Sequence, residues 1–212
     1  MLEEFRADAT RIGGTGPGDQ AMSDPWIQSY EGRCIDLIVP DLTELTIEEV
    51  AHSLARINRF TGHTRGRVPY NVAQHSCLVA KNLQQELQFD GLMHDSHESA
   101  LGDVSSPVKW ALERWGGGKA WKKLDDSMAN AFAKRWSFSL GNPLVREADL
   151  RALITERRDV MGNVEAKPWG IMWEGKLAQP YVDEIIPWGI DESEYQFLRA
   201  FEKMSRWRKV VR

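Results

Sequence analysis

The stretch His94-Asp95-Ser96-His97-Glu98 carries four ionisable side chains in five consecutive residues, and it is followed by Gly102-Asp103 and Ser105-Ser106-Pro107. Glycine, serine and proline stop helices, so the sequence predicts that the charged stretch closes a helix over about 89 to 101. Such a density of titratable groups at one helix end is unusual for a purely structural segment. The stretch therefore indicates a functional site.

Two other polar residues interrupt apolar helical stripes. His75 does so on a helix predicted over about 71 to 87, and Asp149 on one predicted over about 143 to 162. A polar group that points into a core costs about 2 to 7 kcal/mol unless it is paired or bound to a metal. Together with His94 and Asp95, these residues predict two imidazoles and two carboxylates around one cation.

The histidine content limits the kind of site. The chain has five histidines, and none follows His97. The fourth ligand is therefore a carboxylate or an upstream group, and a single-metal site with two histidines and two aspartates is the simplest arrangement. Mixed nitrogen and oxygen ligands favour Mn, Co, Fe or Zn, with Mg fitting less well. A hydrogen-bonded core histidine at position 75, beside an incidental His-Asp pair, is the structural alternative.

Composition excludes several classes of protein. The 212 residues are 42% hydrophobic with a formal net charge of -4, which disfavours extended nucleic-acid binding. Cys34 and Cys77 have neither disulfide-framework nor metal-site spacing, so a reducing cytoplasm is expected. No apolar run is long enough to span a bilayer, so no membrane partner is expected. A homodimer or higher homo-oligomer is compatible with the sequence.

The organisation is that of one domain over 25–212, preceded by a disordered or extension segment over 1–24. Glu31-Gly32, between short runs of β-branched and aromatic residues, predicts a small N-terminal β-hairpin. Residues 163 to 190 are rich in tryptophan and proline and are predicted to be irregular. The remaining helices are predicted over about 46 to 58, 106 to 115, 118 to 136 and 192 to 208. The fold class is thus all-α with a small hairpin.

These motifs together resemble the HD-domain phosphohydrolases, within the branch of bacterial 5'-deoxyribonucleotidases and phage deoxyadenosine triphosphohydrolases. The resemblance covers about residues 26 to 160. The matching text is Arg59-Phe60, Val72-Ala-Gln-His75-Ser, His94-Asp95-Ser-His-Glu98, Gly102-Asp103-Val-Ser-Ser-Pro107-Val-Lys109, and Ala148-Asp149 with Thr155-Glu156.

The resemblance implies a helical bundle in which one divalent metal is bound by His75, His94, Asp95 and Asp149. It implies that Glu98 and Asp103 are the catalytic carboxylates and that Arg59 binds the substrate phosphate. Phe60 stands where relatives often carry tryptophan. The substrate-binding residues expected from the motifs and their surroundings are Arg59, Phe60, His63, Pro107 and Lys109.

The chemistry of these residues agrees with that reading. A divalent metal lowers the pKa of water and polarises a phosphoryl oxygen. Glu98 follows His94 by one helical turn, which places a base beside the metal site. The expected activity is hydrolysis of the 5' phosphoester of a small nucleotide, chiefly a 5'-(deoxy)nucleoside monophosphate.

The sequence leaves three alternatives to this activity open. A deoxynucleoside triphosphate triphosphohydrolase would use the same groups, although such enzymes tend to carry a further lysine one turn beyond Lys109, where this chain has Glu113. A regulatory nucleotide-binding module would keep the metal without catalysis. A helical scaffold with an incidental His-Asp pair would leave His75 and Asp149 far apart.

Overall fold

The computed structural model describes residues 25–162, 169, 172–173 and 175–211, and the predicted extension over 1–24 lies outside these described residues. The described chain is predominantly helical, with two small two-stranded antiparallel ribbons. The helices are α1 (Ile47–Leu54), α2 (Val72–Lys81), α3 (Gln88–Met93), α4 (Glu98–Leu101), α5 (Ser106–Arg114), α6 (Gly118–Trp136), α7 (Pro143–Asp159) and α8 (Ile190–Val211).

The predicted N-terminal hairpin is confirmed. Strand β1 (Trp26–Gln28) pairs antiparallel with β2 (Cys34–Asp36). Glu49 on α1 fixes the hairpin to the helical body, because its carboxylate lies 2.7 Å from Nη1 of Arg33 and accepts a 2.5 Å hydrogen bond from Ser29. The same Glu49 forms a capping box with Thr46 at the start of α1, so one acidic residue both begins the helix and ties the hairpin to it.

Helix α2 lies at the centre of the bundle and contacts α1, α3, α7 and α8. Its apolar face is fully buried through Val72, Ala73 and Val79. The side chain of Asn71 caps the helix by accepting from the amide of Gln74 at 3.0 Å, and its Nδ2 donates to Ser193 of α8 at 2.9 Å. This central position is what carries a histidine of α2 into the interior.

The prediction of one continuous helix over 89 to 101 is wrong. The chain forms α3, a turn over residues 94–97, and then the short α4. Amides in this stretch bond to carbonyls three residues back, as Ser96 does to Met93 (3.0 Å) and Glu98 to Asp95 (3.0 Å). The tighter i to i-3 pattern replaces the α-helical one and turns the His-Asp pair away from a regular helix face.

Glycine lets α3 approach α2 closely. A Cβ at Gly91 would lie 2.4 Å from Cδ1 of Leu83 and 3.4 Å from Cα of Ala80. A side chain here would displace the end of the Leu83 side chain and press on the backbone of α2 at Ala80. The glycine therefore permits the close packing of α3 on α2.

The C-terminal part corrects a second prediction. Within the segment expected to be irregular, β3 (Met172–Trp173) pairs antiparallel with β4 (Lys176–Leu177). In the sequence between these strands, Glu174-Gly175 repeats the dipeptide that predicted the first hairpin, but the flanking runs are too short to predict strands.

Beyond β4 the chain packs on α7. The hydroxyl of Tyr181 donates to the carbonyl of Ala148 at 3.0 Å, and its amide donates to Thr155 Oγ1 at 2.8 Å. These hydrogen bonds fix the segment after β4 to α7. Among the described helices, none has both the length and the apolar character needed to cross a bilayer.

Candidate metal centre

Side chains from three places in the chain converge on one point. His75 comes from α2, His94 and Asp95 from the turn after α3, and Asp149 from α7. The ligand atoms of His75, His94 and Asp95 lie within 4.8 Å of one another. Asp149 stands outside that compact set of three, yet its Oδ1 lies 3.2 Å from Nε2 of His75 and 3.9 Å from Nε2 of His94. The structure therefore brings all four predicted ligands together.

The separations are those of ligands around a shared ion. Oδ2 of Asp95 lies 3.4 Å from Nε2 of His75 and 3.1 Å from Nε2 of His94. Adjacent ligands held at about 2.1 Å from a metal in tetrahedral or octahedral geometry are about 3.0 to 3.4 Å apart. Three of the four imidazole-to-carboxylate distances fall in or at the edge of this range.

Both imidazoles present the same nitrogen to the centre. Nδ1 of His75 lies 2.5 Å from Oε1 of Glu156, and Nδ1 of His94 lies 2.8 Å from the carbonyl oxygen of Gly91. An acceptor at Nδ1 favours the tautomer with the proton there, which leaves the Nε2 lone pair free. Such an outer partner is the usual companion of a metal-binding histidine.

The two Nε2 atoms also fit a bound cation by their burial. Both are inaccessible to solvent, and within the described residues neither makes a hydrogen bond of acceptable geometry despite the nearby carboxylates. A buried polar atom without a partner is costly. A divalent ion with mixed nitrogen and oxygen ligation would satisfy both nitrogens and both aspartates, so the residues present fit such a group.

The electric field at the centre favours positive charge. Burial lowers the pKa of His75 and Arg59 lowers it further, but Glu156, Asp149 and Asp95 together raise it well above its usual range. For His94 burial again lowers the pKa, and Asp95 and Asp149 reverse this to a net rise. A site whose carboxylates attract a proton this strongly attracts a divalent cation for the same electrostatic reason.

Arg59 lies at the edge of this centre. Its side chain is largely buried, and Nη1 is 4.0 Å from carboxylate oxygens of both Asp95 and Asp103. The backbone beside it is strained, since Phe60 and Thr61 both adopt a φ of 55°. Such residues cost about 1 to 3 kcal/mol each and cluster at functional sites.

The two predicted catalytic carboxylates flank the same centre. Glu98 is 7% exposed, and its Oε2 has no hydrogen-bond partner among the described residues. Burial, followed by Asp95 and Asp103, raises the pKa of Glu98 well above its usual range. Gly102, with a φ of 77°, turns the chain after α4 and so returns Asp103 toward Arg59. Burial also raises the pKa of Asp103 against the opposing effect of Arg59.

Three predicted substrate residues are not drawn into this cluster. The side chain of His63 is exposed and makes no hydrogen bond or ion pair with any described residue, and Pro107 is exposed in the first turn of α5. Lys109 faces α6, where Nζ lies 3.9 Å from Asp125 and 5.8 Å from the ring centre of Trp121. Phe60 is half-buried, with its ring 5.8 Å from that of Trp169.

Sequence reasoning assigned no role to Glu156, which is fully buried and contacts both His75 and Arg59. A usable signal existed. Glu156 follows Asp149 by seven residues on α7, and this spacing of two turns places both on one helix face. The two carboxylates therefore reach opposite nitrogens of the same imidazole.

Comparison with known proteins shows the family to which this chain belongs. The uncharacterized protein RCAP_rcc00048 of Rhodobacter capsulatus is 33% identical over 153 residues, covering 69% of this chain and 74% of the relative. This chain belongs to the family of RCAP_rcc00048. The uncharacterized protein YfdR of Escherichia coli is 28% identical over 188 residues, covering 88% of this chain and 99% of that protein. No family model matches the chain.

Proposed function

We propose that this protein is a metal-dependent phosphohydrolase of the HD-domain type that cleaves the 5' phosphoester of small nucleotides, chiefly 5'-(deoxy)nucleoside monophosphates. The observation that carries the proposal is the convergence of the buried Nε2 atoms of His75 and His94 on the carboxylates of Asp95 and Asp149, at distances of 3.1 to 3.9 Å. Arg59 adjoins them, and this supplies a phosphate-binding cation beside the candidate metal centre.

Each group of residues at the site has its own role in hydrolysis. A divalent cation at the four ligands would lower the pKa of water and withdraw charge from a phosphoryl oxygen. Nη1 of Arg59 binds and orients the phosphate, because Nε and Nη2 already donate to Glu156 at 3.1 and 3.0 Å. That leaves one edge of the guanidinium for the substrate.

Proton transfer falls to the two flanking carboxylates. Glu98 accepts the proton of the attacking water as the water oxygen bonds to phosphorus. Burial, Asp95 and Asp103 raise the pKa of Glu98, and a divalent cation at the four ligands would oppose that rise and so favour the ionised form that a base needs. As the bond between phosphorus and the 5' oxygen breaks, Asp103 donates a proton to that oxygen. Its raised pKa favours the protonated form that this step needs.

The buried state of Glu98 favours catalysis over a purely regulatory role. An unpartnered buried carboxylate oxygen is unfavourable, and a module that only binds a nucleotide gains nothing from keeping it beside the metal ligands. The position of Lys109 favours monophosphates over triphosphates. Its ammonium group lies 3.9 Å from a carboxylate oxygen of Asp125 and 5.8 Å from the ring centre of Trp121, so it faces α6.

The direct test is product analysis. The protein, stripped of metal and then reloaded with Mn, Co, Fe, Zn or Mg, is incubated with deoxynucleoside mono-, di- and triphosphates. Orthophosphate and tripolyphosphate are measured separately. We expect metal-dependent release of orthophosphate from monophosphates. Tripolyphosphate as the main product would establish the triphosphohydrolase instead, and no hydrolysis with any metal would favour the regulatory module.

The number of phosphates in the substrate also determines which basic side chain, Arg59 or Lys109, contributes more to kcat/KM. Arg59→Ala is expected to lower kcat/KM for a monophosphate by about two orders of magnitude, in line with the 2 to 5 kcal/mol lost when one partner of a buried charge pair is removed. Lys109→Ala is expected to change kcat/KM by less than about threefold, which is under 1 kcal/mol.

Arg59→Lys accompanies these variants, because Arg59→Ala leaves Glu156 buried without its cation and so lowers stability. The lysine keeps a charge but loses the planar fork. Thermal melting identifies the variants that are folded, and kinetics is compared on those alone. A large loss at Lys109 with little loss at Arg59 would contradict the monophosphate assignment.

A further inference from the structure

Glu156 holds two functional side chains at once. It is 0% exposed on α7. Oε1 lies 2.5 Å from Nδ1 of His75, while Oε2 accepts from Nε and Nη2 of Arg59 at 3.1 and 3.0 Å. One carboxylate therefore contacts a candidate metal ligand on one side and the candidate phosphate ligand on the other.

Each contact fixes what its partner presents to the site. A carboxylate oxygen at Nδ1 of His75 holds a proton on that nitrogen, so Nε2, which lies 3.4 and 3.2 Å from oxygens of Asp95 and Asp149, is the ring nitrogen left to bind a cation. On the other side, Nε and Nη2 of Arg59 are held in place, so Nη1 is the group that faces Asp95 and Asp103. An ionised carboxylate can do both because each of its oxygens is an acceptor.

We propose that Glu156 is a positioning residue that sets the tautomer of His75 and the orientation of Arg59 together, so that one side chain prepares both the cation site and the phosphate site. This inference rests on the proposed function. Glu156 touches neither the cation nor the substrate and acts only through these two residues.

Glutamine at this position separates positioning from a general packing role. An amide has one acceptor and one donor end, so it cannot accept from both partners. The charged guanidinium of Arg59 demands the acceptor, which turns the amide N–H toward Nδ1 of His75. Nδ1 must then accept a hydrogen bond, so the ring proton moves to Nε2. A protonated Nε2 has no lone pair with which to bind a cation. Shape and burial change little.

The matched control is Glu49→Gln. Glu49 is also a buried carboxylate, 3% exposed, and it pairs with Arg33 at 2.7 Å and with Ser29 at 2.5 Å, away from the candidate centre. The same chemical change there removes a buried ionic contact but leaves both imidazoles untouched. Any effect common to the two variants is structural.

Binding of Co²⁺ to the full-length chain is measured by calorimetry for the parent, Glu156→Gln and Glu49→Gln, together with their melting temperatures. We expect Glu156→Gln to weaken Co²⁺ binding by about 10- to 100-fold, the usual effect of losing such an outer partner, and Glu49→Gln to leave it within about threefold. Equal Co²⁺ affinity in the parent and Glu156→Gln would overturn the positioning role while leaving the proposed function intact. If the parent itself binds no Co²⁺, Mn²⁺ or Zn²⁺, the proposed function fails and this inference fails with it.

A measurement on the parent protein decides the matter if Glu156→Gln does not fold. In the Zn²⁺-loaded protein labelled with ¹⁵N at histidine, correlation spectra report which ring nitrogen carries the proton. We expect His75 to be protonated at Nδ1 and to bind Zn²⁺ through Nε2. A proton on Nε2, or Zn²⁺ at Nδ1, would overturn the assignment.

Discussion

Replacing Asp95 by alanine is expected to remove both the bound metal and the activity. Oδ2 of Asp95 lies 3.4 and 3.1 Å from the Nε2 atoms of the two histidines, so it faces both imidazoles of the site. Loss of even an outer partner of a metal ligand costs about 10- to 100-fold in affinity, and loss of a ligand is expected to cost more. Metal content after gel filtration, metal titration and phosphate release are the measurements.

Asp126→Ala is the control for this variant. Asp126 is exposed on α6 and pairs with Lys122 at 2.7 Å, so removing it takes away a carboxylate without touching the candidate centre. We expect it to retain parental metal content and turnover. Full activity in an Asp95→Ala protein that contains no metal would contradict the single-metal mechanism.

Glu98→Gln is expected to keep the metal and lose catalysis. The amide preserves shape but removes the basic oxygen, and loss of a general base costs about a hundredfold to ten-thousandfold in rate. Because Glu98 is buried and its Oε2 has no partner among the described residues, the substitution breaks no hydrogen bond of that oxygen. We therefore expect kcat to fall while metal stoichiometry and melting temperature stay near the parental values.

Glu113→Gln, the same change at an exposed position on α5, is expected to leave kcat unaltered. If Glu98→Gln turned over within about threefold of the parent, the barrier would have changed by less than 1 kcal/mol. Glu98 would then not be the base, and another group or solvent would have to accept the proton.

Local signals in the sequence predict much of the fold. Thr46 with Glu49 marks the start of α1, and Pro143 marks the first turn of α7, as the structure has them. These signals predict helix ends because a capping residue accepts hydrogen bonds from backbone amides only a few positions away in the sequence. The convergence of His75 with Asp149 was also predictable, since each is a costly polar interruption of an apolar stripe.

The features that sequence reasoning missed depend on contacts between distant segments. Nothing local to residues 94–97 distinguishes a helix from a turn, and the i to i-3 hydrogen bonds of Ser96 and Glu98 become visible only in the structure. The pairing of Lys109 with Asp125 joins α5 to α6 and could not be read from either helix alone. The contacts of Glu156 on α7 likewise become visible only when α2 and Arg59 are placed beside it.

We propose that one divalent ion lies between His75, His94, Asp95 and Asp149. Anomalous diffraction from crystals of the protein grown with Mn²⁺, recorded on both sides of the manganese absorption edge, locates the ion directly. We expect one strong peak per chain, bounded by the Nε2 atoms of both histidines and a carboxylate oxygen of each aspartate. Absence of a peak at that point from Mn²⁺-saturated crystals, or an ion bound only elsewhere, would rule out this metal site.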